Sequence, residues 1–545
     1  MLNSREFSIL FMQTFSKRTV VFILISAVIA IGQTPQPPFP VKRAESAETW
    51  RRDGWNFIAD SKNMAPRKGV AKNVILFLGD GMGISTITAS RIFEGQLRGE
   101  SGEENHLSFE DFPYRALSKT YSTNQQTSDS APTMSAIMTG VKTNEGTLSV
   151  DQGTIRGDYR TVAGHETKTL LEYAEEVGKS TGVVSTARVT HATPGACFAH
   201  TADRNWESDR DIRDWRPEAY AAKFPDIATQ LLNFKFGDGL EVAFSGGRSK
   251  FLPSTASDPE YPSIKGERLD GRDLTAEWVK KYKNSAYVWN KKQFDALDPK
   301  KVRHALALFE PSYMQFEYDR PKDPAGEPSL SEMTSKAIDI LSQNKKGYFL
   351  MVEGGRIDMA HHYGNAFRAM TDTIAFSDAV RTAQKKVNLD DTLIIVTADH
   401  SHTFFIQGYP VRGNNILGFV RETDERGQLE PDYMRDALGL PYTTLGYANG
   451  RGYEGASNIL PAGPKLCCAE PRSFSALTRG RFDLTTIDTT NPNYLQEAGI
   501  PLKNETHGGE DVAIFATGVD SYLVHGTMEE NWIYFVMADA MRLGK

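Results

Sequence analysis

The sequence is poor in cysteine: its 545 residues include only Cys197, Cys467 and Cys468. Three cysteines exclude the framework of several disulfides that stabilises many small secreted domains. The adjacent Cys467 and Cys468 leave two alternatives open, a vicinal disulfide or two free thiols.

The chain also lacks a strong excess of charge of either sign. Its 62 Lys and Arg are offset by 69 Asp and Glu, which gives a net charge of -7. No basic cluster interrupts this mixture. We therefore expect no nucleic-acid-binding surface and no attraction to an anionic membrane.

Long apolar runs are scarce, and the one near the N-terminus covers residues 19–31, between Lys17-Arg18 and a Pro-rich stretch. It is shorter than the roughly 20 residues that a membrane span needs, so the pattern predicts a secretory signal peptide over residues 1–30 and a linker over 31–48. An uncleaved anchor is the alternative. Residues 531–545 lack the spacer and apolar tail of a lipid-anchor signal. We expect an exported protein, periplasmic or secreted, without a membrane anchor after signal cleavage.

Residues 49–545 are expected to form one large domain with insertions, since a chain of this length can build a single α/β core. No internal repeat occurs. Residues 239–328 are polar and rich in Pro, Asp, Lys and Tyr, which predicts a surface insertion. Residues 408–490 are irregular and rich in Gly, Pro and Arg, which predicts a small inserted subdomain or a long insertion near the mouth of a site.

Four apolar runs, most of them rich in β-branched residues, end at polar residues of chemical interest. The runs are residues 74–78, 182–186, 348–352 and 393–397. The polar residues that follow them are Asp80, His191, Thr193, Glu353, Asp399 and His400. With a helical pattern over 366–387, the runs predict an α/β fold with a mostly parallel central sheet flanked by helices. Such sheets bind ligands at the carboxyl ends of their strands. A single Asp there is often only a helix N-cap, but several together indicate a site.

Six of the eleven histidines lie in four short windows. They are His191, His361, His362, His400, His402 and His507. Acids and imidazoles together suit a divalent ion, and imidazole favours zinc. Asp358 can share a helical face with His361 or with His362, and spacing alone does not choose between them. For an isolated pair, a surface acid beside a hydrogen-bonded histidine is the alternative.

Ser130 precedes a helix-like segment at residues 134–138. Free N–H groups and the positive dipole end at a helix N-terminus help to hold an incoming phosphate. The serine hydroxyl needs activation, which a zinc ion can supply. The alternative is that Ser128 or Ser130 only caps the helix.

Six motifs, in their order along the chain, resemble those of the alkaline phosphatase family. They are Asp80-Gly81-Met82-Gly83, Asp129-Ser130-Ala131, His191-Ala192-Thr193-Pro194, Val352-Glu353-Gly354-Gly355-Arg356-Ile357-Asp358, Thr397-Ala398-Asp399-His400-Ser401-His402 and Glu505-Thr506-His507-Gly508-Gly509-Glu510-Asp511. The resemblance extends over residues 73–541 and is closer to the animal branch, although we expect a bacterial member. It implies hydrolysis of many phosphate monoesters to alcohol and phosphate through a phosphoseryl intermediate, by a homodimer.

The resemblance also implies a role for each matching residue. One zinc ion would be bound by Asp358, His362 and His507, with His361 left out. A second zinc ion would be bound by Asp80, Asp399 and His400, and a magnesium ion by Asp80, Thr193 and Glu353. Ser130 would be the nucleophile and Arg204 would hold the phosphate, with Asp129 and His191 beside them. A peripheral calcium ion would be bound by Glu260, the Phe309 carbonyl, Glu310 and Glu327, where the family usually has Asp at the last position; an acidic surface loop is the alternative.

The sequence departs from the family at several places. Met359 stands where the animal branch has histidine and the enteric branch lysine, so a contact to phosphate or its water is missing. Cys197 is a thiol near the Thr193 segment. The match thins after Gly418, where the family has a crown-like element near its dimer interface. Two other functions stay open: a phosphodiesterase or sulfatase of the same superfamily, and an inactive metal-binding or surface interaction protein on this fold.

Overall fold

A computed structural model describes residues 38–41, 45–467, 469–478 and 480–544. The predicted signal peptide and most of the predicted linker lie outside the described residues. Cys467 is disulfide-bonded, and Cys468 lies outside the described residues, whereas Cys197 is free and buried.

The described residues form fourteen α-helices and seventeen β-strands. The helices are α1 (Ala47–Asn63), α2 (Ile84–Leu97), α3 (Ser130–Thr139), α4 (Leu170–Glu176), α5 (Ala192–Gly195), α6 (Asp209–Trp215), α7 (Pro217–Ala221), α8 (Ile227–Leu232), α9 (Leu274–Lys281), α10 (Lys291–Ala296), α11 (Leu330–Leu341), α12 (Arg356–His362), α13 (Ala366–Lys386) and α14 (Trp532–Met541). The strands are β1 (Asn73–Leu78), β2 (Tyr114–Lys119), β3 (Ser180–Arg188), β4 (Val242–Gly246), β5 (Ser285–Val288), β6 (His304–Leu308), β7 (Tyr348–Glu353), β8 (Thr392–Thr397), β9 (Ser401–His402), β10 (Phe404–Ile406), β11 (Leu445–Gly450), β12 (Lys465–Leu466), β13 (Tyr494–Leu495), β14 (Ala498–Pro501), β15 (His507–Gly508), β16 (Val512–Gly518) and β17 (Thr527–Glu529).

The central sheet has ten strands in the order β17-β2-β16-β8-β1-β7-β3-β4-β6-β5. All neighbouring pairs are parallel except those of β16, which is antiparallel to both β2 and β8. The four predicted apolar runs are the adjacent strands β8, β1, β7 and β3. Their carboxyl ends therefore lie side by side at one edge of the sheet, as the sequence predicts.

The sheet is covered on both faces, which explains why its central strands β1 and β7 are almost wholly apolar. Along β1, alternate residues enter different cores: Val74 and Leu76 pack with helices α3, α4 and α14, and Ile75 and Phe77 pack with α11 and α13. Every residue of β7 and β8 is buried. The predicted fold class is confirmed.

Residues 239–328, which we expected to form a surface insertion, instead contribute β4, β5 and β6 to the central sheet. The strands are short, and β4 and β6 are fully buried. Long polar loops separate these strands. The segment as a whole is therefore polar, and its composition does not predict the short apolar strands within it.

Small sheets lie outside the central one. Strands β10, β11 and β14 form a three-stranded sheet, and β12 pairs with β13. Because β11 and β12 fall within residues 408–490, this region agrees with the predicted inserted subdomain. Among the described residues, no helix is both long enough and apolar enough to cross a membrane.

Candidate active site

Three adjacent strands of the central sheet, β8, β1 and β7, place acids and a histidine at one edge. Asp80 follows β1, Glu353 ends β7, and Asp399 and His400 follow β8; all four side chains are fully buried. The register places Leu78 beside both Glu353 and Thr397, so the three strands end at the same level. Buried acids without basic partners are costly, which indicates a cation at this edge.

Asp358, His362 and His507 form a first cluster beyond that edge. His362 Nε2 lies 3.2 Å from Asp358 Oδ1, His507 Nε2 lies 3.5 Å from the same oxygen, and the two Nε2 atoms are 3.3 Å apart. Ligands about 2.0 Å from a tetrahedral zinc ion are about 3.3 Å from one another. The three side chains therefore have the spacing of a zinc site.

Backbone carbonyls hold the histidines in the orientation that a metal needs. Nδ1 of His362 contacts the Glu505 carbonyl at 2.6 Å, and Nδ1 of His507 contacts the Ser128 carbonyl at 2.7 Å. A hydrogen on Nδ1 leaves the Nε2 lone pair free to bind a metal. Each cluster histidine thus presents Nε2 to its neighbours.

A second cluster contains Asp80, Asp399 and His400 and touches Ser130. His400 Nε2 lies 3.3 Å from Asp80 Oδ1 and 3.6 Å from Asp399 Oδ2. The Ser130 Oγ atom lies 3.1 Å from His400 Nε2 and 3.3 Å from Asp80 Oδ1. A cation held by this cluster would contact the serine hydroxyl.

A third group combines Asp80 with Thr193 and Glu353. Asp80 Oδ2, Thr193 Oγ1 and Glu353 Oε1 are buried and have no hydrogen-bond partner among the described residues, nor has Asp399 Oδ2. Burial, followed by the charge of Asp399, raises the pKa of Asp80 well above its usual range. Burial also raises the pKa of Glu353 to about 8. An oxygen-rich group with unpartnered atoms fits a hard cation such as magnesium.

Ser130 is the first residue of α3, but it does not cap the helix. The N-cap is Asp129, whose side chain accepts a hydrogen bond from Ala131 N. This excludes the alternative that Ser130 is the cap. This helix offers fewer free amides than a general helix N-terminus, because Ala131 N is occupied and Pro132 has no N–H.

Arg204 lies beside Ser130 and is held on two sides. Its Nη1 donates to Asp129 Oδ1 and its Nη2 donates to His191 Nε2, both at 3.0 Å. Arg204, His191 and Ser130 border one cavity of about 220 Å³. The guanidinium is therefore fixed at the nucleophile with its planar fork available to an oxyanion.

The comparisons with known proteins agree with this geometry. The family model described as alkaline phosphatase matches residues 71–543. The chain belongs to the alkaline phosphatase family. It is 41% identical to the tissue-nonspecific alkaline phosphatase of Rattus norvegicus, over 96% of this chain and 94% of the relative. It is 40% identical to the Homo sapiens isozyme, over 95% and 93%.

Solved structures show the same fold. The alkaline phosphatase of Thermus thermophilus has a TM-score of 0.60 at 22% identity and covers 89% of this chain and 94% of its own. That of the Antarctic bacterium TAB5 has a TM-score of 0.56 at 21% identity, with coverage of 88% and 100%. The predicted family and its likeness to animal members are confirmed. The chain is thus an alkaline phosphatase, a hydrolase of phosphate monoesters.

His361, which the sequence left as an alternative ligand in this alkaline phosphatase, is occupied elsewhere. Its Nε2 contacts Thr86 Oγ1 at 2.9 Å and its Nδ1 contacts Tyr447 OH at 2.8 Å. Both ring nitrogens are therefore engaged outside the first cluster. His362 takes the place in that cluster.

His402 and Glu505 also belong to the site, although the family resemblance assigns neither of them a role. His402 Nε2 lies 2.9 Å from Asp358 Oδ1, and its Nδ1 lies 2.5 Å from Glu505 Oε2. Pairing of β9 with β15 places His402 opposite His507. Only glycine fits at Gly81, where φ is 67° and a Cβ would be 2.3 Å from His402 Nε2. His402 therefore orients the carboxylate of Asp358.

Two of the predicted peripheral acids, Glu260 and Glu310, lie together, and Asp323 joins them. Ligand atoms of Glu260, Glu310 and Asp323 lie within 4.8 Å of one another, and Asp323 was not predicted. Glu327 is buried, and its Oε2 has no hydrogen-bond partner among the described residues. The Phe309 carbonyl accepts a hydrogen bond from Arg248 Nη1 at 3.0 Å, so one of its lone pairs is occupied.

The two sequence departures lie close to the metal clusters. Met359 borders the active-site cavity beside Tyr363 and His362, where its thioether brings no charge or N–H donor. Cys197 is fully buried, with Sγ 3.8 Å from the Thr193 carbonyl. Burial raises the pKa of the Cys197 thiol well above its usual range, so this thiol stays neutral.

Proposed function

We propose that this alkaline phosphatase hydrolyses a wide range of phosphate monoesters through a phosphoseryl intermediate on Ser130, with two zinc ions and one magnesium ion per subunit. The observation that carries the proposal is the position of Ser130 Oγ, 3.1 Å from His400 Nε2 and 3.3 Å from Asp80 Oδ1. Its hydroxyl is not used for capping and lies against the second cluster.

The first cluster, Asp358, His362 and His507, and the second cluster, Asp80, Asp399 and His400, would each hold a zinc ion, and Asp80, Thr193 and Glu353 would hold magnesium. Zinc at these sites supplies Lewis acidity, which lowers the pKa of a bound hydroxyl or water and neutralises developing negative charge. The unpartnered oxygens of Asp80, Thr193, Glu353 and Asp399 support this assignment.

The protein side chains bind and orient the phosphoryl group. Arg204 pairs with two phosphate oxygens in a planar fork that lysine does not reproduce. Ser130 Oγ then attacks phosphorus, the ester bond breaks, and the alcohol departs with a proton. Water subsequently cleaves the O–P bond of phosphoserine and releases inorganic phosphate. Because these contacts address the phosphoryl group, substrate breadth is expected to be wide.

Turnover of three chromogenic esters of the same phenol tests the reaction class. The zinc- and magnesium-loaded enzyme should hydrolyse the phosphate monoester with a kcat/KM at least about 10³-fold above those for the phosphate diester and the sulfate ester, because loss of a bidentate, charge-assisted contact and of metal contacts each costs several-fold to a hundredfold. A preference for the diester or sulfate would assign the enzyme to another branch of the superfamily. Absence of all three activities would favour a binding protein.

We further propose a calcium ion at the peripheral site, held by Glu260, Glu310, Asp323 and Glu327 with the Phe309 carbonyl. Burial raises the pKa of Glu310 to about 8 and that of Glu327 to about 9. Asp323 Oδ2 and Glu327 Oε2 have no hydrogen-bond partner among the described residues, and a group of carboxylates with free oxygens suits a hard cation with many oxygen ligands. Here the ion would brace β6 and the loops that follow it.

Calcium should therefore raise the melting temperature of the enzyme, by about 2 °C or more at saturating calcium. Glu310→Gln should remove the rise, because it deletes one charge from the cluster. Asp295→Asn, which changes an exposed acid paired with Lys291, should retain it. Differential scanning calorimetry measures both, and an unaltered calcium response in Glu310→Gln would contradict the site.

Two proposals concern the whole enzyme. We propose a homodimer, supported by helix α1, which has no buried residue and exposes Trp50, Trp55 and Phe57 by 53, 72 and 66%; analytical ultracentrifugation of the enzyme measures its mass. We propose export as well, supported by the apolar run at residues 19–31. Sequencing of the mature N-terminus tests cleavage near residue 30.

A further inference from the structure

Arg451 is a second arginine at the active-site cavity, and the proposed mechanism assigns it no role. It directly follows β11, in the inserted subdomain, and is only 2% exposed. Ser130, Arg204 and Arg451 all border the same cavity of about 220 Å³. A positive side chain is therefore present at the cavity in addition to the one that holds the phosphoryl group.

The positive charge of Arg451 has only a weak negative partner. Its Nε and Nη2 atoms both donate to the amide oxygen of Asn504, which carries no charge. The nearest carboxylate oxygen is Glu470 Oε1, 3.4 Å from Nη2, on a side chain that is 75% exposed. Nη1 is buried and has no hydrogen-bond partner among the described residues.

Two other fully buried arginines, Arg248 and Arg268, are neutralised by buried acids. Arg248 pairs with Asp258 and Arg268 pairs with Asp226, and in both pairs the two side chains are at most 4% exposed. The pKa of each of these arginines is raised. Burial instead lowers the pKa of Arg451, and Glu470 opposes this only in part. Among the described residues, no buried carboxylate forms an ion pair with Arg451, so its positive charge is only weakly offset.

The surroundings of Arg451 place it beside the first metal cluster. Its guanidinium lies 4.4 Å from the centre of the Tyr363 ring, and Tyr363 directly follows His362. Its partner Asn504 directly precedes Glu505, whose carbonyl orients His362. Arg204, in contrast, contacts Asp129 and His191. The two arginines therefore act on different parts of the cavity wall.

We propose that Arg451, together with Asn504, binds a second anionic group on the alcohol portion of the substrate and so favours phosphate monoesters whose alcohol carries a nearby carboxylate or phosphate. This inference rests on the proposed function of the same cavity. A cavity of about 220 Å³ is smaller than the ~300–1,000 Å³ of a drug-sized ligand site. The second anion must therefore lie within a few atoms of the ester oxygen.

Glycerol 3-phosphate and 3-phosphoglycerate form a matched pair for the test, because they have the same carbon skeleton and one carries a carboxylate. The readout is the ratio of kcat/KM for 3-phosphoglycerate to kcat/KM for glycerol 3-phosphate, in which changes of metal content or total activity cancel. Arg451→Met keeps the apolar stem against Tyr363 and should lower the ratio about tenfold or more, the loss expected for a charge-assisted hydrogen bond. Arg451→Lys should lower it less.

Glu470→Gln provides an independent variant at an exposed position. It removes the carboxylate that competes for Arg451 and should raise the same ratio by about twofold or more, within the range of an exposed ion pair. Arg435→Met is the control, since Arg435 lies in the same inserted subdomain, is exposed and donates to the Gly439 carbonyl. Its ratio should equal that of the parent enzyme.

An unchanged ratio in both Arg451→Met and Glu470→Gln, with both substrates still hydrolysed, would overturn the subsite and leave the phosphatase proposal intact. Failure of the parent enzyme to hydrolyse either ester would instead overturn the proposed function, and the subsite with it. To separate the carboxylate from a second phosphate, glycerol 3-phosphate is also compared with 1,3-propanediol bisphosphate. Two ratios of kcat/KM are then measured for Arg451→Met, one for the carboxylate substrate and one for the bisphosphate, each relative to glycerol 3-phosphate. If the substitution lowers only one of them, the subsite binds the anion of that substrate.

Discussion

Ser130→Ala should reduce kcat for a phosphate monoester about 10³-fold or more, the scale seen when a nucleophile is deleted from a covalent mechanism. The hydroxyl is the only group on this residue that contacts His400 and Asp80. Because Asp129 rather than Ser130 caps α3, the alanine variant should keep its fold and its melting temperature within about 1 °C, which corresponds to a few tenths of a kcal/mol. Steady-state kinetics and calorimetry measure the two quantities.

Ser128→Ala is the matched control for this loss. The Ser128 hydroxyl contacts only the Asp129 carbonyl, and the substitution keeps the backbone carbonyl that holds His507. Its kcat should stay within a few-fold of the parent value. If Ser130→Ala retained a kcat comparable to that of Ser128→Ala, direct attack by water would replace the covalent route.

Removal of the metal ions should abolish activity and destabilise the protein together. Asp80, Glu353 and Asp399 are fully buried, and without cations their charges repel one another across a small volume. Chelation should lower kcat about 100-fold or more and the melting temperature by about 5 °C or more, since ligands that bind the native state tightly add several kcal/mol of stability. Activity and calorimetry after dialysis against a chelator measure both effects.

Adding single metal ions back to the chelated enzyme distinguishes the two zinc sites from the magnesium site. Zinc should restore most of the activity, because the first and second clusters contain the imidazoles that zinc prefers. Magnesium alone should not, because its group contains only oxygen ligands. Full activity with magnesium as the only added ion would contradict the assignment of the two histidine-containing clusters to zinc.

The core of the fold is predictable from the sequence because its strands are unusually uniform. The runs at residues 74–78 and 348–352, which form most of β1 and β7, are apolar along their whole length, as expected for strands of a sheet buried on both faces. The predicted helix over residues 366–387 matches α13, Ala366–Lys386. The sequence does not predict strands β4 to β6, because they are short and the polar loops around them dominate the composition of residues 239–328.

The predicted site residues converge in space, but their roles depend on contacts that no local pattern encodes. Pairing of β9 with β15 places His402 opposite His507, and His402 contacts Asp358 of α12, although these segments are far apart in the sequence. Asp323 joins the peripheral acids through a loop that no periodicity describes. Near Ser130, Asp129 and Pro132 remove two N–H donors that a general helix N-terminus would offer.

The most direct test of the central claim is detection of the phosphoseryl intermediate. Enzyme mixed with excess phosphate monoester and quenched in acid within the first turnover should yield one phosphorylated peptide by mass spectrometry, with the phosphate on Ser130. The same peptide from Ser130→Ala should carry none. Phosphate on a different residue, or release of a full equivalent of alcohol and phosphate together with no phosphorylated peptide at any time, would contradict the account.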